Sequence, residues 1–172
     1  MGKKKKTLYD PYAEALGAFN RHGVLYVVVG MAGINYYASR AEDTFSTQDY
    51  DVFIKPVIAN VKKVVQILKE LGYDIAAGGS LLADSSLKNI VRDRKTFVAT
   101  DPYGISFDII LAVSGFTFNQ MAGDATIFSA GKILLRVGKL KKLLLSKKAA
   151  GRKKDILFLS TYENMITTGD HI

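Results

Sequence analysis

The stretch QDYDVFIK, at residues 48–55, carries the alternation that decides the fold. Successive side chains of a β-strand point to opposite faces of a sheet, so residues two apart share a face. On such a strand Asp49, Asp51 and Phe53 face one way, and the residues between them face the other. Pro56 follows and ends the strand, because proline cannot donate to a sheet ladder. The sequence therefore predicts a strand with two carboxylates side by side on one face.

A pair of carboxylates on one strand face can hold metal ions or simply face solvent. Burying Asp49 and Asp51 together without a cation would cost free energy through charge repulsion and desolvation. Two Mg²⁺ ions would remove that cost, and such ions support in-line displacement at a phosphorus atom. An exposed acidic strand face is the alternative, and the spacing alone does not separate the two.

Elsewhere the chain mixes short apolar runs with amphipathic segments, without a strict strand–helix repeat. Apolar residues recur at helical spacing over 57–71, and Gly72 provides a stop. The turn DPYG at 101–104 joins two strand-like runs as a hairpin. By the same criteria we expect strands over 24–29, 73–77, 95–100, 105–113, 125–128 and 133–137, and helices over 12–21, 35–40, 140–150 and 153–165. These elements predict the α/β (α+β) class, a mixed β-sheet flanked by helices, with helices at the C-terminal end.

The composition narrows the chemistry available to this fold. The chain has 172 residues, and we expect a basic arm at 1–8, a single domain over 9–166 and a tail at 167–172. It has no cysteine and two histidines, which excludes disulfides and thiolate metal sites and disfavours a zinc site or a histidine-based triad. Any catalytic metal would be held by oxygen, which indicates Mg²⁺ or Mn²⁺ as the cofactor.

The charge balance favours an anionic partner. Lys and Arg outnumber Asp and Glu by 24 to 16, which gives a formal net charge of +8. A triphosphate or a nucleic acid fits this charge, although a requirement for solubility would also account for it. No uncharged stretch is long enough to span a bilayer and no signal peptide is visible, so we expect a cytoplasmic protein without a membrane partner.

A turn rich in small residues precedes the acidic strand. Gly30, Met31 and Ala32 follow the apolar run at 24–29 and lead toward a helix. Backbone amides at the start of a helix can bind phosphate, and a glycine lets the ligand approach closely. A plain strand-to-helix turn is the alternative interpretation.

Together, the turn and the strand resemble a known family. Gly30-Met31 followed by STQDYD at 46–51 resembles the first motif of the polymerase-β-like nucleotidyltransferase superfamily, a Gly-Gly or Gly-Ser turn and then a Ser/Thr-x-Asp-x-Asp strand. The superfamily adds a third carboxylate on a neighbouring strand, and Asp108 in GISFDII at 104–110 fits that place. The resemblance implies the nucleotidyltransferase fold, with Asp49, Asp51 and Asp108 as catalytic metal ligands and the turn at 30–32 binding phosphate.

Two basic elements extend the resemblance toward one branch of the superfamily. The segment LLSKKAAGRKKD at 144–155 is similar to the Leu-Ile-x-x-Lys-x-x-Ala-x-Arg-x-Lys-Asp segment of AbiEii-type nucleotidyltransferases, and KNIVR at 88–92 matches their Lys-x-x-x-Arg element. These proteins include toxins of abortive-infection and toxin–antitoxin systems. The resemblance implies that four cations neutralise a nucleoside triphosphate: Lys88, Arg92, Lys147 and Arg152. It also implies that Asp155 orients Lys147 or Arg152 instead of contacting the substrate.

The resemblance implies transfer of a nucleoside monophosphate from a triphosphate to an acceptor hydroxyl. The acceptor could be RNA, a protein or a small molecule, and a cognate antitoxin protein could be a partner. Three positions depart from the family pattern: Met31 stands where Gly or Ser is preferred, Phe45 where relatives often have Arg, and Phe158 where an Asp is common. Two alternatives therefore stay open, a catalytically silent member that binds nucleotide or a partner, and a basic nucleic-acid-binding module.

Overall fold

The computed structural model describes residues 10–167, so the predicted basic arm at 1–8 and most of the predicted tail lie outside the described residues. Thr167, expected to begin the tail, is instead the last residue of a helix. The strands are β1 Tyr26–Val29, β2 Asp51–Ile54, β3 Asp74–Ala77, β4 Ser80–Leu81, β5 Phe97–Thr100, β6 Ser106–Ile110, β7 Thr126–Ala130 and β8 Ile133–Val137. The α-helices are α1 Ala13–Arg21, α2 Gly30–Asn35, α3 Ile58–Glu70, α4 Leu87–Asp93, α5 Phe118–Ala122, α6 Leu140–Ala150 and α7 Lys153–Thr167, with short 3-10 turns at Ala41–Asp43 and Asp84–Ser86.

All eight strands of the described chain form one sheet in the order β4-β3-β5-β6-β2-β1-β8-β7. The central pairings mix directions: β1 runs antiparallel to β2 and parallel to β8, while β2 runs parallel to β6. The predicted hairpin is present as the antiparallel pair β5–β6, and the strands predicted at 125–128 and 133–137 also pair antiparallel, as β7–β8. The prediction of a mixed sheet flanked by helices, with two helices at the C-terminal end, is confirmed.

The central strands are buried because helices cover both faces of the sheet. Val27, Val28 and Val52 are fully buried, as expected of β-branched residues in strands with neighbours on both sides. α3 turns the apolar residues of its amphipathic pattern toward this core, with Val61, Val64 and Leu68 all fully buried. This packing fixes β2 and β6, the two strands that carry Asp51 and Asp108.

Two predicted elements differ from the structure near the acidic strand. β2 begins at Asp51, not at residue 48, so Asp49 precedes the strand instead of sharing its pleated face. The helix expected at 35–40 lies earlier, because α2 begins directly at Gly30 and ends at Asn35. Val29 is extended and Gly30 has a φ of 66°, so the chain turns sharply at the glycine and enters the helix at once.

Two helices, α4 and α5, were not predicted. α5 has five residues, too few for a periodic apolar pattern to be recognised. It is nonetheless held by a capping box, in which the Thr117 hydroxyl accepts from the Gln120 amide and the Gln120 side chain accepts from the Thr117 amide. The Thr-x-x-Gln spacing is the signal that could have revealed it.

None of the helices in the described chain combines the length and apolar character needed to cross a membrane.

Candidate active site

The predicted acidic residues meet at a cavity of about 700 Å³ on one face of the sheet. β1 ends at Val29 directly opposite Asp51 at the start of β2, and Asp51 lies opposite Asp108 on β6. Helices α6 and α7 contribute cations and an aromatic ring to the cavity wall. Its lining includes Gly30, Met31, Thr47, Asp49, Asp51, Asp108, Lys147, Arg152, Lys154, Asp155 and Phe158.

Asp51 and Asp108 form the centre of the acidic group. They are register partners on adjacent parallel strands, so their side chains project from the same face. Burial raises the pKa of Asp51 to about 6, and the negative charges of Asp108 and Asp49 add to the effect, while Lys147 and Lys154 oppose it. Burial and the charge of Asp49 also raise the pKa of Asp108, against a hydrogen bond from Asp51. The cavity therefore holds more negative charge than its cations compensate.

Asp49 lies at the rim of the cavity. It is exposed, and its carboxylate makes no hydrogen bond or ion pair with the described residues. Its backbone is fixed by Thr47, whose hydroxyl lies 3.1 Å from the Asp49 amide and 3.2 Å from the Asp49 carbonyl oxygen. Asp49 also lines a smaller neighbouring cavity of about 220 Å³, so it forms part of the wall between the two.

Gly30 allows Asp51 to occupy its position. The φ of Gly30 is 66°, and a Cβ built on it would overlap the Asp51 carboxylate. The sequence predicted that a ligand would approach Gly30 closely. In the structure the Asp51 side chain makes that approach. Met31 lines the main cavity, whereas Ala32 is buried and lines the smaller one. The structure therefore brings Gly30 and Met31, but not Ala32, to the wall of the main cavity.

On the opposite wall, Asp155 joins two predicted cations. Its carboxylate is almost fully buried and accepts from Arg152 Nε at 2.6 Å and from Lys147 Nζ at 3.4 Å. Burial alone would raise the pKa of Asp155, but the hydrogen bond from Arg152 and the charge of Lys147 outweigh it and hold the pKa below its ordinary value. These contacts fit the expectation that Asp155 orients Lys147 and Arg152 instead of contacting a substrate.

The structure does not bring Lys88 and Arg92 to the cavity. α4 packs against α3, and Arg94 just beyond it donates to the carbonyl oxygen of Pro56 at 2.7 Å, which places the end of α4 beyond the C-terminal end of β2. Asp51 lies at the opposite end of that strand. Both predicted cations are exposed, and Arg92 pairs with its neighbour Asp93 at 2.9 Å. The Lys-x-x-x-Arg match in the sequence does not indicate where the helix that carries these two cations packs.

Lys154 belongs to the site and was not singled out from the sequence. It lines the cavity, and its charge lowers the pKa of Asp51. It lies four residues before Phe158 on α7, so both side chains share the side of the helix that faces the cavity. That spacing was readable in the sequence, but it required knowing which side of α7 is buried.

The donor set fits a hard cation by its chemistry. Asp49, Asp51 and Asp108 supply only oxygen donors, which Mg²⁺ and Mn²⁺ prefer, and their uncompensated charge would be relieved by a divalent cation. Within residues 10–167, however, no three acidic, histidine or cysteine side chains are already placed to hold an ion together. Asp51 and Asp108 are the preformed part of the set, and Asp49 is its exposed member.

Compared with known proteins, the chain matches no protein-family profile and no curated protein.

Proposed function

We propose that this protein is a metal-dependent nucleotidyltransferase with the polymerase-β-like nucleotidyltransferase fold, of the AbiEii type. The observation that carries the proposal is the pairing of Asp51 with Asp108 on adjacent parallel strands, at a cavity whose other wall holds Lys147, Arg152 and Lys154. This arrangement suits a metal-bound triphosphate. The acidic wall can bind its metal ions, and the Lys and Arg side chains of the other wall can neutralise its phosphate oxygens.

In the proposed reaction, an acceptor hydroxyl attacks the α-phosphorus of a nucleoside triphosphate. A bond forms between the acceptor oxygen and the α-phosphorus, and the bond from that phosphorus to the oxygen bridging to the β-phosphate breaks. Pyrophosphate leaves with the electron pair of that bond, and the hydroxyl proton passes to the Asp108 carboxylate. Lys147, Arg152 and Lys154 neutralise the charge on the leaving pyrophosphate.

Asp49, Asp51 and Asp108 would hold Mg²⁺ or Mn²⁺. The bound cation would supply charge stabilisation at the α-phosphate and would orient the triphosphate. Asp155 acts one step away from the substrate, because it holds Lys147 and Arg152 toward the cavity. Gly30 leaves room for the Asp51 carboxylate.

The acceptor and the protein partners follow from the same proposal. A net charge of +8 favours RNA over a protein or a small molecule as acceptor. A toxin of this type would have an antitoxin protein as partner, and a cytoplasmic location would suit both. These assignments rest on the sequence resemblance and the charge, not on a described contact.

The test of the proposal is to follow the label of a nucleoside triphosphate. We expect label on the α-phosphate to move to an acceptor in total RNA, whereas label on the γ-phosphate leaves with pyrophosphate. Transfer requires Mg²⁺ or Mn²⁺ and is abolished by Asp51→Asn and by Asp108→Asn. Asp74→Asn changes an exposed acid outside the cavity and serves as the matched control. Movement of the γ-phosphate label instead would indicate a kinase.

A second candidate is nucleotide binding without transfer. Two features favour it: Met31 occupies the cavity wall where the family pattern has Gly or Ser, and Asp49 is exposed at the rim. In that case the protein binds a labelled triphosphate in a metal-dependent manner that Asp51→Asn abolishes, yet no acceptor in RNA, protein or small-molecule pools becomes labelled.

A further inference from the structure

The segment between α2 and β2 carries Thr47 and Asp49 to the cavity, and it has few contacts of its own. Residues 46–49 are all exposed and lie outside regular structure. A carboxylate on such a segment can hold a metal ion only if its backbone is fixed by neighbours, because the cost of ordering it would otherwise reduce metal affinity. The contacts that hold this segment in place therefore affect how well Asp49 can bind a metal ion.

The fastening point is Phe45, whose backbone is held from one side by Asn35. The Asn35 side chain donates from Nδ2 to the Phe45 carbonyl oxygen at 2.9 Å and accepts from the Phe45 amide at 2.7 Å. Both hydrogen-bonding groups of one residue are thus satisfied by a single amide side chain. Asn35 is the last residue of α2, the helix that begins at Gly30. The contact therefore ties the segment to the C-terminal end of α2.

The ring of Phe45 is held from the other side by α7. It packs edge-on against Phe158 with ring centroids 5.0 Å apart, and against Tyr162 at 4.9 Å. Phe158 is 8% exposed and lines the cavity, where Lys147 Nζ lies 5.3 Å from the centroid of its ring. The same aromatic residue therefore contacts both the acid-bearing segment and a cation of the opposite wall.

We propose that Asn35, Phe45, Phe158 and Tyr162 form an aromatic latch that positions Asp49 for metal binding. Phe45 and Asn35 act as positioning residues, since neither lines the main cavity and both work through the backbone that carries Asp49. The inference rests on the proposed function, because it assigns Asp49 to the metal site. The latch joins three parts of the chain that meet at the cavity: the end of α2, the segment before β2, and α7.

Opening the latch weakens metal binding without removing any metal ligand. We expect Phe45→Ala and Asn35→Ala to lower Mn²⁺ affinity by about 10- to 100-fold, the effect typical of losing a residue that orients a metal ligand. Phe45→Tyr keeps the ring and retains the affinity. The Phe45 amide, which donates to Asn35, exchanges with solvent deuterium faster in Phe45→Ala, whereas amides in β2 and α6 do not.

Phe128→Ala is the matched control, since it removes a partly buried ring that contacts Tyr36 and Tyr37 and does not line the cavity. It lowers stability and leaves Mn²⁺ affinity unchanged, which separates positioning from a loss of folding. Should Phe45→Ala fail to fold, Phe45→Leu and Asn35→Ala take its place.

The measurements are Mn²⁺ titration followed by electron paramagnetic resonance and amide exchange followed by mass spectrometry, both on the full chain. The latch is overturned if Phe45→Ala and Asn35→Ala bind Mn²⁺ as tightly as wild type and exchange at residue 45 is unchanged. A wild-type protein that binds no Mn²⁺ counts against the proposed function instead. The amide exchange then still decides whether Phe45 fastens the segment.

Discussion

Asp51 and Asp108 lie directly opposite each other on adjacent parallel strands, although 56 residues separate them in the sequence. Their backbones are fixed by the register of β2 against β6, so the two carboxylates are brought together by the sheet itself and not by a loop. Two acids held this way repel each other in a partly buried cavity. Burial and this repulsion together raise the pKa of Asp51.

Burial of Asp51, together with the charges of Asp108 and Asp49, makes stability depend on pH in the absence of metal. The pKa of Asp51 lies at about 6 in the folded protein, above its ordinary value of 3.8, so the folded state binds the proton more tightly. Stability contributed by the protonated form is present at low pH and is lost as the pH rises between these two values. We expect Asp51→Asn to stabilise the metal-free protein at pH 7 by about 3 kcal/mol, since the proton affinity of Asp51 is more than 100-fold higher in the folded protein and each tenfold change corresponds to about 1.4 kcal/mol.

Urea unfolding of the metal-free protein at pH 4 and pH 7 measures this effect. Asp74→Asn, at an exposed strand position, provides the control and shows no such gain. Adding Mg²⁺ or Mn²⁺ stabilises wild type and not Asp51→Asn. Equal stability of wild type and Asp51→Asn at pH 7 without metal would contradict the claim that the ionised Asp51 carboxylate destabilises the metal-free protein.

Gly30 is predicted to be essential for the position of Asp51 and not only for the turn. Gly30→Ala forces a Cβ into the Asp51 carboxylate, so we expect loss of Mn²⁺ binding and of nucleotidyl transfer. The substitution also places alanine at a φ of 66°, which costs about 1–2 kcal/mol on backbone grounds alone. Thermal unfolding, Mn²⁺ titration and the transfer assay separate the two effects.

Gly23 offers a control matched in backbone conformation. Its φ is also 66°, but no heavy atom lies within 4 Å of the Cβ that a substitution would add. Gly23→Ala therefore carries the same backbone cost and retains metal binding. If both variants lose stability equally and both retain Mn²⁺ binding, Gly30 has no role beyond the turn.

Lys147 is predicted to serve the triphosphate and the acid pair together. Lys147→Met keeps the apolar stem but removes the charge, and we expect KM for the nucleoside triphosphate to rise about 10- to 100-fold, as for the loss of one hydrogen bond to a charged group. The pKa of Asp51 rises further, because Lys147 lowers it in the wild type. Mn²⁺ binding therefore shifts to higher pH in this variant.

Steady-state kinetics and a pH series of Mn²⁺ titrations test both effects. Lys148→Met removes the adjacent, exposed lysine of α6, which does not line the cavity, and leaves both quantities unchanged. A pH dependence of Mn²⁺ binding identical in wild type and Lys147→Met would show that Lys147 does not act on the acid pair.

The core of the fold was predictable because its signals are local. The alternation around Asp51, the helical spacing over 57–71 and the turn at 101–104 each identify one element, and the described chain confirms all three. Asp108 could be assigned to a strand beside Asp51 only through the family resemblance, since pairing between distant segments leaves no local signal. The register that places the two opposite each other comes from the packed sheet.

Other parts of the site depend on packing that spacing does not encode. Lys88 and Arg92 lie one helical turn apart on α4, yet α4 packs at the far end of β2. The contact partners of Phe45 could not be predicted from the sequence either. Phe45 contacts Phe158 because α7 packs along the segment before β2. Both phenylalanines stand where the family that the sequence resembles often has a charged residue, and in the structure their rings contact each other.

The most direct test of the proposed function is a crystal structure with Mn²⁺ and a nucleoside triphosphate whose bond between the α- and β-phosphates cannot be cleaved. Anomalous scattering from Mn²⁺ would locate the metal independently of the nucleotide. We predict manganese peaks bound by Asp51 and Asp108, with Asp49 as a further ligand and the triphosphate directed toward Lys147 and Arg152. Manganese and nucleotide bound elsewhere on the chain, with the Asp51–Asp108 pair free of both, would contradict the proposed function.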